Sequence, residues 1–203
     1  MVADLDSVFD PRPLVSLSDY ERAAGERLRD GPFGYFAGGA GDEITARDNI
    51  AAWRRLAICP RMLVGVGERD ASVTVLGQEL AHPLIVAPMA FQGLAHQERE
   101  IGTARAAAAT NTPMCLSTLA TTSAPELAEA VPESRRWFQL YVFRDRGVSR
   151  ELMQTAVEYG YEALVVTVDL PLTGVRERDL RSGVARRLSS SSPPPLPRWA
   201  RRA

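Results

Sequence analysis

The sequence has no lysine. All 24 of its basic residues are arginine, and histidine occurs only at His82 and His96. A mechanism that needs a lysine amine, or several imidazoles, cannot be completed by these residues alone. Cysteine is as scarce: Cys59 and Cys115 stand far apart and match no metal or redox spacing, so they read as buried thiols in a reducing compartment. No apolar stretch approaches the length of a membrane span. The N-terminal MVADLDSVFDPRPLVSL places acids and prolines where a signal peptide needs a basic start and an apolar core. A net charge of -1 supplies no basic field for nucleic acid or an anionic membrane. The expectation is a cytoplasmic protein with no nucleic-acid partner, no membrane partner and no metal site.

What is present is a repeated pattern. With 203 residues, 45% of them hydrophobic, the chain can bury a real core as one domain, or one plus an appendage. Four short apolar runs close on polar residues: PLIVAPMA at 83–90, MCLST at 114–118, WFQLY at 137–141 and ALVVTVD at 163–169. Runs of this length read as strands buried on both faces, and helix-like stretches between them indicate a parallel sheet. In a parallel barrel the strand ends build the active site, so Ser117, Gln139, Tyr141, Thr167 and Asp169 are expected to converge on one mouth. A closed eight-stranded barrel needs about 250 residues, more than this chain has.

The stretch before residue 83 has a different grammar. Residues 1–16 read as an irregular arm, and Ser18 or Asp19 is placed to cap an amphipathic helix through YERAAGERLRD. A second short helix starts at Pro32 and dissolves in Gly38, Gly39 and Gly41; a third runs from Thr45 to Leu56. SVTVLGQELAHP at 72–83 alternates around Gly77 like a hairpin that lids one end of a barrel. Later helices are expected at 96–109, at 124–130 behind Ser123, and at 148–159 up to Gly160. Right-handed crossovers would set the four strands side by side in chain order.

The segments YFAGGAGDE, PLIVAPMAFQGLAH, CLSTLATTS, FQLYVFRDR and VVTVDLPLTGVRERDLR occur in one order and spacing from Asp19 to Gly183. In this they resemble the FMN-dependent 2-hydroxy-acid oxidases and dehydrogenases, the group of glycolate oxidase, lactate oxidase and mandelate dehydrogenase. The resemblance implies an α/β fold, the N-terminal half of a TIM (β/α)8 barrel with N-terminal helices and a small β-hairpin before the first barrel strand. It implies FMN across the carboxyl ends of the strands, with backbone groups of Pro88, Met89 and Ala90 along the flavin and the side chains of Ser117, Gln139 and Thr167 bonded to it. It places Tyr35 and Arg176 at the carboxylate of a small 2-hydroxy-acid substrate, Tyr141 at its hydroxyl, and Asp169 as the partner of a catalytic histidine. Leu119 stands where glycolate oxidase has a tryptophan, which enlarges the pocket wall or makes it more apolar, and Phe91 adds an aromatic near the flavin face.

Taken alone, several of these residues have plainer readings. Ser117 and Thr167 are satisfied hydroxyls at strand ends, Tyr35 is a core aromatic, Asp169 is a helix cap and Arg176 is a surface charge beside Glu177 and Arg178. Gln139 is the exception, since an amide between Phe138 and Leu140 on a buried strand costs free energy unless it finds partners.

The resemblance also implies a lysine, a catalytic histidine, a second arginine and phosphate-binding loops that this sequence does not contain; His82 and His96 fall where neither serves as the base. The organisation expected is therefore 1–82 as arm, helices and hairpin, 83–184 as the first four βα units, and 185–203 as an aberrant or disordered Arg/Ser/Pro tail, frameshift-like in composition. The polypeptide by itself is expected to be inactive, whereas the intact enzyme would be a homo-oligomer. Two further readings stay open: a non-catalytic half-barrel that binds a partner, and another FMN barrel enzyme.

Overall fold

The computed structural model describes residues 14–65, 67–170 and 172–184; the tail expected to be disordered lies outside these. Three helices come first: α1 (Leu17–Arg27), α2 (Asp30–Ala37) and α3 (Ile44–Arg54). The cap of α1 is Ser16, not Ser18 or Asp19. Its side chain accepts from Asp19 N while the Asp19 carboxylate accepts from Ser16 N at 2.8 Å, a reciprocal capping box. Asp19 thus serves from inside the first turn. Helix α2 begins two residues before Pro32, which sits in the first turn, where its missing N–H has no intrahelical carbonyl to serve.

The hairpin is β1 (Val73–Val75) and β2 (Gln78–Leu80), antiparallel with Val75 facing Gln78. Leu76 and Gly77 both have positive φ, 51° and 77°, as a two-residue hairpin turn requires. Arg135 donates to Glu79 O at 2.6 Å and to Gln78 Oε1 at 3.1 Å. Since Arg135 precedes the strand that starts at Arg136, the hairpin covers the amino ends of the parallel strands, opposite their mouth.

The parallel sheet has the order β3 (Met114–Leu116), β4 (Arg136–Leu140), β5 (Ala163–Val166). It is flanked by α4 (Arg99–Ala109), α5 (Ala124–Ala130), α6 (Arg146–Glu158) and the short α7 (Glu177–Ser182). Register is set by Leu116 against Phe138 and by Gln139 against Val165. The expected strand at 83–90 is reduced to a single parallel bridge, Val86 to Met114, with Val86 N donating to Pro113 O and Cys115 N to Val86 O, both at 2.9 Å. Pro83 and Pro88 flank it, and proline offers no N–H to a ladder. Chain order across the sheet is nevertheless as expected.

Met114, Leu116, Phe138 and Leu140 face the helices and pack with Leu127, Val131, Leu152 and Tyr161 into one core. Burying a side chain of this kind contributes roughly 1.5–3 kcal/mol. Burial on both faces holds for β3 and β4 but not for β5. Leu164 and Val166, register partners of Phe138 and Leu140, are 41% and 47% exposed, because no described element covers that side beyond β5. Ser123 caps α5 and Asp145 caps α6, the latter two residues before the expected start. No helix among the described residues is long and apolar enough to cross a membrane.

Candidate active site

The strand ends meet where the sequence pattern placed them. A cavity of about 300 Å³ is lined by Tyr35 and Phe36 from α2, by Pro88, Met89 and Ala90 after the Val86 bridge, and by Ser117, Gln139, Tyr141, Thr167 and Arg176. A larger cavity of about 690 Å³ lies between α1, α2 and α4 and shares Phe36 and Met89 with it. It has more volume but an almost wholly apolar wall and no strand-end polar group, so the smaller cavity is the one equipped for chemistry.

Gln139 organises the polar wall. It is 3% exposed, and its side-chain oxygen accepts from Thr118 N at 3.0 Å and Ser117 Oγ at 3.3 Å, while Nε2 donates to Thr167 Oγ1 at 2.8 Å. One amide thereby ties together the ends of β3, β4 and β5. Thr118, which the sequence reading passed over, completes the tie: its hydroxyl donates to Gln139 O at 2.5 Å and accepts from Tyr141 N at 3.1 Å. Ser117 Oγ also accepts from Leu119 N at 3.1 Å.

The opposite wall comes from the N-terminal helices. Tyr35 stacks edge-on to Phe91 at 5.9 Å between centroids, and the Arg176 guanidinium lies 5.1 Å over its ring. Burial raises the Tyr35 phenol above its ordinary value, the Arg176 charge pulls it back, and Asp179 and Tyr141 raise it further. The phenol therefore stays a hydrogen-bond donor. Arg176 Nη2 donates to the carbonyls of Gly38, at 2.9 Å, of Gly34, at 3.4 Å, and of Tyr35. A cation at the carboxyl end of a helix is favoured both by these carbonyls and by the helix dipole. Gly38 permits the approach, for a Cβ there would meet Gly34 O at 2.5 Å and Arg176 Nη2 at 3.4 Å.

Asp169 and Leu119 do not line the cavity. Asp169 is exposed, two residues beyond Thr167, and Leu119 is half-buried with its carbonyl accepting from Phe91 N at 3.1 Å. Neither histidine reaches the cavity: His82 contacts Thr110 O and Thr112 Oγ1, and His96 lines the larger apolar space. The two thiols split, Cys115 being buried as expected and Cys59 exposed. Among the described residues no group of three or more His, Cys, Asp or Glu could hold a metal ion.

Glu100, also unforeseen, sets the height of the loops around this mouth. It is fully buried and accepts from Gln92 N at 3.2 Å, Thr121 N at 2.9 Å, Thr122 N at 2.9 Å and the Thr121 hydroxyl at 2.8 Å. Those bonds join the loop after the Val86 bridge to the loop after β3, with one carboxylate as the staple.

A helix-backed parallel sheet with a polar mouth at its carboxyl ends defines an α/β protein of the kind that binds ligands over its strand termini. The chain matches the FMN-dependent dehydrogenase family over residues 24–202 and belongs to it. It is 48% identical over 171 residues to the L-lactate oxidase of Nostoc sp., covering 83% of this chain and 47% of the relative. It is 44% identical over 169 residues to 2-hydroxyacid oxidase 1 of Homo sapiens, covering 83% and 46%. A mandelate oxidase variant solved with (S)-mandelic acid superposes with a TM-score of 0.80 at 40% identity, covering 84% of this chain and 50% of that one. The chain therefore spans about half the length of the relatives it matches.

Proposed function

We propose that this chain carries the flavin-ring and carboxylate-binding part of a 2-hydroxy-acid oxidoreductase site. In this reading residues 83–184 are the first four βα units of an eight-fold barrel, behind an N-terminal unit at 1–82. The observation that carries it is Gln139, a buried amide whose three side-chain partners lie at the ends of β3 and β5, beside apolar walls from Phe36, Pro88 and Met89.

That donor set fits the polar edge of an isoalloxazine ring, which needs an apolar slot and a few directed polar groups. After its bond to Thr167, Gln139 Nε2 has one N–H left, and the Ser117 and Thr167 hydroxyls complete the set. A phosphate finds less. Arg176 is the one charged residue in the lining, and its Nη2 is occupied by carbonyls.

Bound FMN would supply the acceptor for the two electrons removed when a 2-hydroxy acid becomes a 2-oxo acid. The chain's own residues bind and orient that acid. The free edge of the Arg176 guanidinium and the neutral Tyr35 phenol offer donors to a planar carboxylate. Tyr141, across the cavity on β4's end, offers its hydroxyl to the substrate oxygen and steadies the charge that develops there. Phe36 and Met89 receive the side chain. The relatives named for lactate, 2-hydroxy acids and mandelate support this substrate class. No described imidazole lines the cavity, so the proton on the substrate carbon has no histidine acceptor within it.

Anaerobic addition of L-lactate, glycolate or (S)-mandelate to the chain mixed with FMN tests this reading. The expected result is a perturbed flavin spectrum without bleaching. Bleaching would place a base within this chain, and an unperturbed spectrum with every acid would overturn the proposed site.

A further inference from the structure

We infer that Asp179 is a positioning residue for Arg176: its buried carboxylate locks the guanidinium between the carboxyl end of α2 and the Tyr35 ring, and so fixes the direction from which an anion is met. The inference rests on the proposed reading of the cavity and deepens it.

A guanidinium is a rigid plate with five N–H groups, and its direction is set only when it is held at two separate points. The three α2 carbonyls hold Arg176 at Nη2. The second point is Nε, which lies 3.2 Å from Asp179 Oδ2. That contact is ionic and off the line of a straight hydrogen bond, since Nε has no hydrogen-bond partner among the described residues. With Nη2 and Nε both fixed, the Nη1 edge is left for the cavity. Without Asp179 the plate can pivot about Nη2 alone.

The setting of Asp179 argues that it is there for this contact. Its side chain is 9% exposed and its Oδ1 has no hydrogen-bond partner among the described residues, so the Arg176 charge is the main compensation for burying it. It stands in the first turn of α7, three residues past Arg176 at the N-cap, where a carboxylate commonly reaches back to the N-cap N–H. Here it takes the guanidinium instead. The backbone is held by other means: Gly41 N donates to Val175 O at 2.8 Å, and Arg178 pairs with Glu43 at 2.7 Å. Removing the Asp179 carboxylate should therefore free the arginine side chain without undocking the loop.

The test uses the full chain labelled with 13Cζ-tyrosine, its Tyr35 resonance assigned by its loss in Tyr35→Phe. Arg176→Met defines the resonance position when no guanidinium lies over the ring. Asp179→Ala should move the Tyr35 resonance at least half of the way to that position. Asp179→Asn, which keeps an oxygen beside Nε, should leave it near the wild-type value. In the Arg176→Met background Asp179→Ala should cause little further change. An unmoved resonance in Asp179→Ala, or an equal movement with and without Arg176, would overturn the inference. If Asp179→Ala does not fold, the alkaline titration of Tyr35 in Asp179→Asn decides. With the guanidinium held and the carboxylate charge gone, the phenol should ionise at lower pH than in the wild type, and an unchanged midpoint would refute the arrangement. No flavin or acid enters the measurement, so failure here leaves the oxidoreductase reading intact, and failure of that reading is seen separately in the flavin spectrum.

Discussion

Gln139 donates to Thr167 Oγ1 at 2.8 Å across the β4–β5 pair, from a side chain that is 3% exposed. The bond joins two strand ends through a residue whose chemistry is useful at the cavity wall, so one group both fixes the mouth and faces the ligand. Replacing it should reveal both roles at once.

Gln139→Leu leaves the Thr118 N–H, the Ser117 hydroxyl and the Thr167 hydroxyl short of a partner in a buried setting. Each buried group left unsatisfied costs about 1–3 kcal/mol, and local rearrangement will recover part of that. The unfolding free energy in urea should fall by about 2–3 kcal/mol, where a surface substitution such as Glu129→Gln should change it by less than about 0.5 kcal/mol.

Glu100→Ala removes a fully buried carboxylate that four donors share. Stranding those donors should destabilise the chain by about 3 kcal/mol or more. Hydrogen exchange at Gln92, Thr121 and Thr122 should accelerate more than exchange at Phe138 in the core, because the staple acts on the loops. Uniform acceleration would instead mean that Glu100 supports the whole fold.

The thiols should separate chemically. Cys59 is exposed and Cys115 buried, and a thiol reagent should titrate one cysteine in the native chain and two in denaturant. Rapid modification of both under native conditions would contradict the burial of β3.

Alkaline pH should destabilise the fold. Burial pushes the Cys115 thiol from 9.0 to about 12, so the folded state holds its proton more tightly than the unfolded one. The stability this contributes is complete below pH 9.0 and is lost as pH rises towards 12, with a slope of at most about 1.4 kcal/mol per pH unit. Tyr161 is raised by burial in the same sense. Cys115→Ala should flatten the decline between these limits, measured as urea midpoints against pH.

The site's polar wall was legible in the sequence because strand ends announce it. Ser117, Gln139, Tyr141 and Thr167 each close an apolar run, and parallel pairing carries all four to the same side. Tyr35 and Arg176 are 141 positions apart, and no local pattern joins them; the resemblance placed both at the substrate. Glu100 and Asp179 were missed because an acid in the first turn of a helix reads as dipole compensation, whereas their partners are set by burial and tertiary contact. The first apolar run misled in extent, since hydrophobicity alone does not register that Pro83 and Pro88 leave only Val86 able to pair. Asp169 ends its run as the others do, yet it lies past the last paired residue of β5, Val166, and points outside the cavity lining.

The central claim is that this cavity holds the flavin ring, and binding of lumiflavin and FMN measured side by side by fluorescence quenching tests it most directly. The account predicts that both bind with dissociation constants within about tenfold of one another, a difference of about 1.4 kcal/mol. Gln139→Leu should weaken both, and Asp169→Asn neither. Quenching of neither flavin, FMN binding far tighter than lumiflavin, or a Gln139→Leu variant that binds as the wild type does would contradict it.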